Sequence, residues 1–270
     1  MRNAEKGDFR LVVVAVLALV ALCYPLSFAI DAATFDLFAR ENGPIQISGA
    51  LLFLGASICF VGLFLRSVAT ENSFFGRRTK RNVFWGVLAV LMFVCFGEEA
   101  SWGQHLIGFG TPEALSTLNA QNETNIHNLW VFHQWRPDGS EKGFLGLMIN
   151  MNRLFSVFWL TYFVAIPISA KKSRRVRSAL RFSGIPIPPI WFGWLFLVSF
   201  ISYKFSTFVV VDPLRAFPLD ELKETSYAAI FAIFAAYSLA IDRHLSPAKN
   251  QTHKLGFVWP DDGTNPELLG

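Results

Sequence analysis

Residues 83–113 read VFWGVLAVLMFVCFGEEASWGQHLIGFGTPE. An uncharged apolar run over 83–97 meets, without transition, two glutamates, a tryptophan, a glutamine and a histidine. A helix rises about 1.5 Å per residue, so crossing ~30 Å of hydrocarbon takes roughly 20 residues. The run therefore predicts a membrane span over 83–103 whose end carries Glu98 and Glu99.

Comparable apolar runs lie at 11–30, 44–65, 144–169, 185–211 and 225–241. The chain as a whole agrees: of its 270 residues 53% are hydrophobic, 28 are Phe and only 16% are charged, with a mean hydropathy of +0.39. That is too apolar for an ordinary soluble domain. The predicted fold class is all-α, a polytopic membrane helix bundle of about six transmembrane helices. It forms one membrane domain over 1–241, followed by a polar tail over 242–270 that carries Pro247, Pro260 and Pro266. The basic leader before 11–30 resembles that of a signal peptide, but its apolar part exceeds the usual 7–15 residues, which predicts a retained span. Cys23, Cys59 and Cys95 all fall inside predicted spans, so neither a disulfide framework nor a thiolate metal site is suggested.

The net charge of +4 and pI near 9.0 are explained by where the charges sit. With the N-terminus inside, most of the 24 basic residues fall on inner segments, above all in RRTKR (77–81) and KKSRRVR (171–177). This is the positive-inside bias. It predicts both termini cytoplasmic in a plasma (inner) membrane, with the basic runs facing anionic lipid headgroups and no nucleic-acid partner.

The outer segments are short except 104–143. There TPEAL reads as a helix start, with Thr111 as N-cap, Pro112 at the first helical position and Glu113 favoured by the dipole. Leu115, Leu118 and Ile126 fall on one side of a helix expected to continue through NAQNETNIHN, lying at the outer interface.

On one long helix Glu98, Trp102 and His105 share a stripe at i, i+4 and i+7, while Glu99 points about 100° away. Glu123 and His127, four apart, share a face of the outer helix. Carboxylate with imidazole is a ligand set for Zn or di-iron, and equally a set for general acid/base chemistry near neutral pH. Neither metal signature is complete: His-Glu-x-x-His is absent and Glu123 to His127 is one residue longer than Glu-x-x-His. A divalent metal thus stays open as a cofactor, and the alternative is a span ending in solvated polar residues. Asn150, Asn152 and Arg153 in span four, Lys204 in span five and Glu224 at the start of span six add polar groups at the same level. Ionisable groups in a bilayer are costly and usually face a bundle interior or a pathway, so these residues together predict a polar pocket open to the outside.

The pair GEEASWGQHLIGFGTPE (97–113) and NAQNETNIHNLW (119–130) resembles a motif pair of a family of uncharacterised bacterial multi-pass membrane proteins. The resemblance covers about 97–130 and implies a bacterial plasma-membrane protein, with no activity attached. The adjacent glutamates are also similar to those of the membrane-embedded CAAX-type proteases, which use Glu-Glu-x-x-x-Arg. Here Gly103 stands where that arginine would be.

The leading expectation is a membrane enzyme acting on a lipid or lipid-linked substrate. Glu98 serves as base or ligand, His105 and His127 as acid/base groups, Glu123 as their partner, and Arg153 as anchor for an anionic headgroup, with Trp102 and Gln104 as further substrate contacts. The rival expectations are a carrier or proton-coupled channel using the same residues as a relay, and a non-catalytic assembly subunit.

Overall fold

The computed structural model describes residues 22–40, 42–67, 73–133, 135–210 and 212–249. Most of the first expected span, 11–30, and of the expected tail, 242–270, therefore lies outside the described residues. Hydrocarbon cannot satisfy exposed peptide groups, so an apolar chain of this kind closes its hydrogen bonds within helices.

In chain order, α1 (Ala32–Ala39) leads into α2 (Pro44–Arg66), and a small hairpin of β1 (Ser73–Phe74) and β2 (Arg77–Arg78) precedes α3 (Val83–Glu99). The short helices α4 (Gln104–Ile107), α5 (Glu113–Ser116) and α6 (Phe144–Met148) lie in the long connection. Then come α7 (Met151–Trp159), joined through a π-helical segment Leu160–Ala165 to α8 (Ile166–Lys172), α9 (Arg174–Ser183), α10 (Trp191–Val209) and α11 (Ala216–Lys249).

Four helical stretches are long and apolar enough to cross a membrane among the described residues: Ala32–Arg66, Met151–Lys172, Trp191–Val209 and Pro213–Asp242. A fifth results if the bent pair Val83–Glu99 and Ser101–Ile107, which meet at 63°, counts as one span.

Local chemistry sets the boundaries. Asn82 caps α3 by accepting from Phe84 N (3.0 Å), Asn150 caps α7 by accepting from Arg153 N (3.3 Å), and Gly184 closes α9 in the left-handed region. Span four is accordingly shorter at its start than 144–169, because the Asn150 cap separates α6 from α7. Span five begins at Trp191 rather than 185, since Pro186, Pro188 and Pro189 cannot continue a helix. Span six begins well before 225. Its first turns carry Asp220, Glu221, Lys223 and Glu224, charges that sequence alone assigns mostly to a loop.

The core is aromatic. Phe60, Trp85, Phe163, Phe192, Phe196, Phe231 and Phe234 are almost fully buried, with edge-on and stacked rings such as Phe163–Phe234 (5.2 Å) and Trp159–Phe196 (5.3 Å). Such pairs contribute about 0.5–1.5 kcal/mol each beyond simple burial. Helix α2 packs against both α3 and α11, and Ser57 Oγ donates to Ala89 O (2.8 Å) across the first of these contacts.

The bundle has two unlike ends. At one, the hairpin meets α9 through Gly76 N to Phe182 O (2.9 Å), Asn82 Nδ2 reaches Gly184 O (3.1 Å), and the basic segments gather. At the other lie Glu98, Asn152, Tyr203 and Lys223 together with the long loop.

Candidate functional site

The site begins where α3 stops. Ser101, Trp102 and Gly103 have φ of +43°, +52° and +80°, three consecutive left-handed residues of which only the glycine adopts that region without cost. Each of the other two costs about 1–2 kcal/mol, so the corner persists because its side chains compensate. Trp102 folds back so that its ring occupies the space a Cβ on Gly97 would fill, at 2.7 Å, and its Nε1 donates to Glu98 Oε1 (2.7 Å). Ser101 Oγ donates to Glu123 Oε2 (2.7 Å), and Ser101 O accepts from Thr124 Oγ1 (2.5 Å).

The expected interfacial helix through 119–128 is not formed. Helix α5 ends at Ser116, and Thr111 does not cap it: its hydroxyl donates to Asn122 O (2.5 Å). The reason lies in competing side-chain bonds. Asn119 Oδ1 accepts from Gln121 N (2.9 Å) and Glu123 N (3.2 Å), and Asn119 Nδ2 donates to Asn125 O (2.8 Å), holding 119–125 as a tight loop with Asn122 at φ +58°. Gln104 is buried and fastens this loop to the corner, accepting from Thr124 N (2.8 Å) and donating to Thr111 Oγ1 (2.7 Å). It acts as a structural clamp.

The Glu/His pairs are consequently exchanged relative to the sequence reading. Glu98 Oε2 accepts from Ile126 N (2.6 Å) and His127 N (2.8 Å) and lies 3.3 Å from His127 Nδ1. Glu123 Oε1 lies 3.4 Å from His105 Nε2, while Glu123 Oε2 also accepts from Asn125 Nδ2. Both carboxylates are thus committed to holding loop and imidazole. The ring atom left to do chemistry is His127 Nε2, which makes no hydrogen bond among the described residues.

Burial by itself disfavours the His127 imidazolium. The bond to Glu98 and the charges of Glu224, Glu98 and Glu123 outweigh it and raise the pKa above its ordinary value of 6.5. His133 is shifted the other way, by burial and by Lys142. Among the described residues no group of three or more His, Cys, Asp or Glu side chains is arranged to hold a metal ion.

Arg153 lies exposed on α7 and makes no ion pair among the described residues, so it is not the buried cation of this end. That cation is Lys223, only 5% exposed, whose Nζ lies 2.9 Å from Asp220 Oδ1, 3.2 Å from Asn152 Oδ1 and 3.5 Å from Glu224 Oε1, over the Tyr203 ring at 4.9 Å. Tyr203 Oη donates to Asp220 Oδ1 (2.6 Å). Glu99 lies at the same end, and the charges that act on it are Glu224, Glu221, Lys223 and Glu98. The signal for this second cluster is present in DELKE (220–224), whose i, i+3 and i+4 spacing places Asp220, Lys223 and Glu224 together, with Tyr227 following.

No family model, no curated protein and no solved structure matches this chain.

Proposed function

We propose that the chain is a multi-pass plasma-membrane enzyme of bacterial type, related to proteins carrying the same motif pair, with an outward-facing polar site that acts by general acid/base chemistry on a lipid or lipid-linked substrate. The observation that carries this reading is the Glu98–His127 contact of 3.3 Å. A carboxylate on Nδ1 sets the imidazole tautomer and stabilises its charged form, leaving Nε2 to take or give a proton. In this reading His127 is the acid/base group, Glu98 its orienting partner, and the His105–Glu123 contact a second pair beside it. Trp102 and exposed Arg153 flank the approach. Arg153 suits a phosphate, as a guanidinium binds its oxygens two at a time.

Support for a lipid substrate comes from the corner itself. Leu106 is 91% and Ile107 75% exposed, an arrangement suited to the headgroup boundary. The full reading comprises six spans, beginning with 11–30, and both termini in the cytoplasm. It is tested by comparing the lipid extracts of cells lacking the protein with those of cells carrying the wild type or His127→Gln, by mass spectrometry. A lipid that accumulates in the deletion and is consumed only by the wild type supports the reading. Equal lipid profiles for wild type and His127→Gln at equal membrane level sink it.

A second reading, a proton-coupled carrier, is favoured by one observation: buried Lys223, with its partly exposed partners Asp220 and Glu224, sits on a helix long and apolar enough to cross a membrane rather than in the loop.

A further inference from the structure

We infer that Arg153 of α7 and Lys204 of α10 together bind the phosphate of a glycerophospholipid whose acyl chain lies in the external groove between these two helices. This deepens the lipid reading above, and rests on it for the placement of the helices in a bilayer.

The packed rings fix the register. Trp159 meets Phe196 at 5.3 Å and Phe200 at 6.0 Å, and one turn further on Phe163 meets Phe192 and Phe196, so α7 and α10 run antiparallel. Trp159 thus stands level with the turn between Phe196 and Phe200. Arg153 precedes Trp159 by six residues, and Lys204 follows the middle of that turn by the same number. At a rise of 1.5 Å per residue both cations lie about 9 Å from Trp159, toward the polar end.

They also lie on one side. On α7, Phe155 meets Tyr227 of α11, Trp159 meets α10 about 40° further round, and Arg153 lies about 120° beyond that. On α10, Ser199 bonds Tyr24, Phe196 and Phe200 face α7, and Lys204 comes about 40° past Phe200. The residue count turns in opposite senses on antiparallel helices. Both cations therefore emerge on the flank of the α7–α10 contact that faces away from α11. Toward the other end the same flank carries Val157, Leu160 and Ile201, which are 62%, 41% and 63% exposed.

Charge selects the occupant. Arg153 and Lys204 are exposed and make no ion pair among the described residues, and no Asp or Glu occurs between Glu141 and Asp212. The Lys204 ammonium is held over the rings of Tyr203 (5.2 Å) and Phe200 (5.8 Å) rather than extended freely. Cations at the level of a bilayer are retained where they pair or serve a ligand. A guanidinium and an ammonium at one height, above an apolar groove, match a phosphate above an acyl chain.

The test uses the full chain purified in detergent. It is irradiated with a phosphatidylglycerol carrying a diazirine in one acyl chain, or with the diacylglycerol of the same chains, and the labelled peptides are mapped by mass spectrometry. The phospholipid should label the peptides holding Val157, Leu160 and Ile201 about tenfold more than the diacylglycerol, the difference expected of one charge-assisted contact. Arg153→Gln and Lys204→Gln should each reduce that labelling severalfold. Labelling around α9, at the basic end, should not change in either variant. Equal labelling of the groove by the two probes on the wild-type chain overturns the inference without any variant. So does undiminished labelling in both glutamine variants, which would leave the two cations merely reaching for headgroups. Millimolar inorganic phosphate should not displace the lipid, and displacement would assign the pair to a free phosphate and overturn the lipid groove. His127→Gln should keep the preference, so an absent preference removes this inference alone, and a fully active His127→Gln with the preference intact removes the enzyme reading alone.

Discussion

Glu98 at the end of α3 and His127, 29 positions later, are joined twice: the carboxylate accepts from the His127 backbone N–H and lies 3.3 Å from the His127 ring, and it also accepts from the neighbouring Ile126 N–H. Glu123 and His105 meet across the same corner in the opposite sense, the acid coming from the loop and the histidine from the chain after α3. The two pairs stitch loop to span. One interaction set therefore both positions the imidazoles and keeps the loop docked.

Removing the acid should undock the loop. Glu98→Ala removes the acceptor of three N–H donors, those of Ile126, His127 and Trp102, and leaves the half-exposed loop to bond with water instead of with α3. Hydrogen exchange of the 126 and 127 amides should accelerate at least tenfold, while exchange in α10 stays unchanged. Unaltered exchange at 126 and 127 would show the loop is held by other means.

Docking should also respond to pH, with a definite sign. The folded pKa of His127 is raised, so its contribution to stability is fully present below the ordinary value of 6.5 and is lost as pH rises through the higher folded value. Loop protection should therefore decline on the alkaline side of 6.5. In Glu98→Gln the His127 titration, followed by NMR of imidazole-labelled protein, should move down.

Gly97 and Trp102 should behave as a coupled pair. A methyl on Gly97 would lie 2.7 Å from the indole, so Gly97→Ala should displace the ring and cost about 1–3 kcal/mol. In the Trp102→Ala background the same change should be nearly silent. A double-mutant cycle on thermal unfolding reads the coupling, and additive effects would mean the indole sits elsewhere.

Lys223 should matter where Arg153 does not. Lys223→Met leaves Asp220 and Glu224 without their cation and Asn152 Oδ1 without its donor; because both acids are partly exposed to solvent, the cost falls below the ~3–5 kcal/mol typical of a fully buried pair, at about 1–3 kcal/mol. Folded yield by size-exclusion chromatography should fall, whereas Arg153→Ala should match the wild type in yield.

Sidedness can be read directly. Single cysteines introduced at Gly139 and at Ser173 should be labelled by a membrane-impermeant maleimide from opposite faces. Labelling of both from one face would end the assignment of the site to the outside.

That this chain is helical and suited to a membrane follows from its amino-acid sequence alone, as does the separation of basic segments from the acids and imidazoles. Apolar runs near 20 residues have few ways to satisfy their peptide groups in hydrocarbon, and Asn82, Asn150 and Gly184 mark helix ends by chemistry that acts within a turn. Glu98, His105, Glu123 and His127 were legible as a candidate set for the same reason: their charge and imidazole are out of place in such a chain. Their pairing was not legible. Helical spacing put Glu98 with His105 and Glu123 with His127, but the left-handed run at Ser101, Trp102 and Gly103 turns the chain through 63°, and Asn119 unwinds the helix expected after it. The Asn119 bonds are local and compete directly with the helical period, whereas the corner depends on contacts between segments about 20 to 30 residues apart, which no local period encodes. The same holds for Lys223, which becomes the buried cation only because α7 and α10 bring Asn152 and Tyr203 to it. Which groups are polar was written in composition and spacing, and which groups meet was decided by packing.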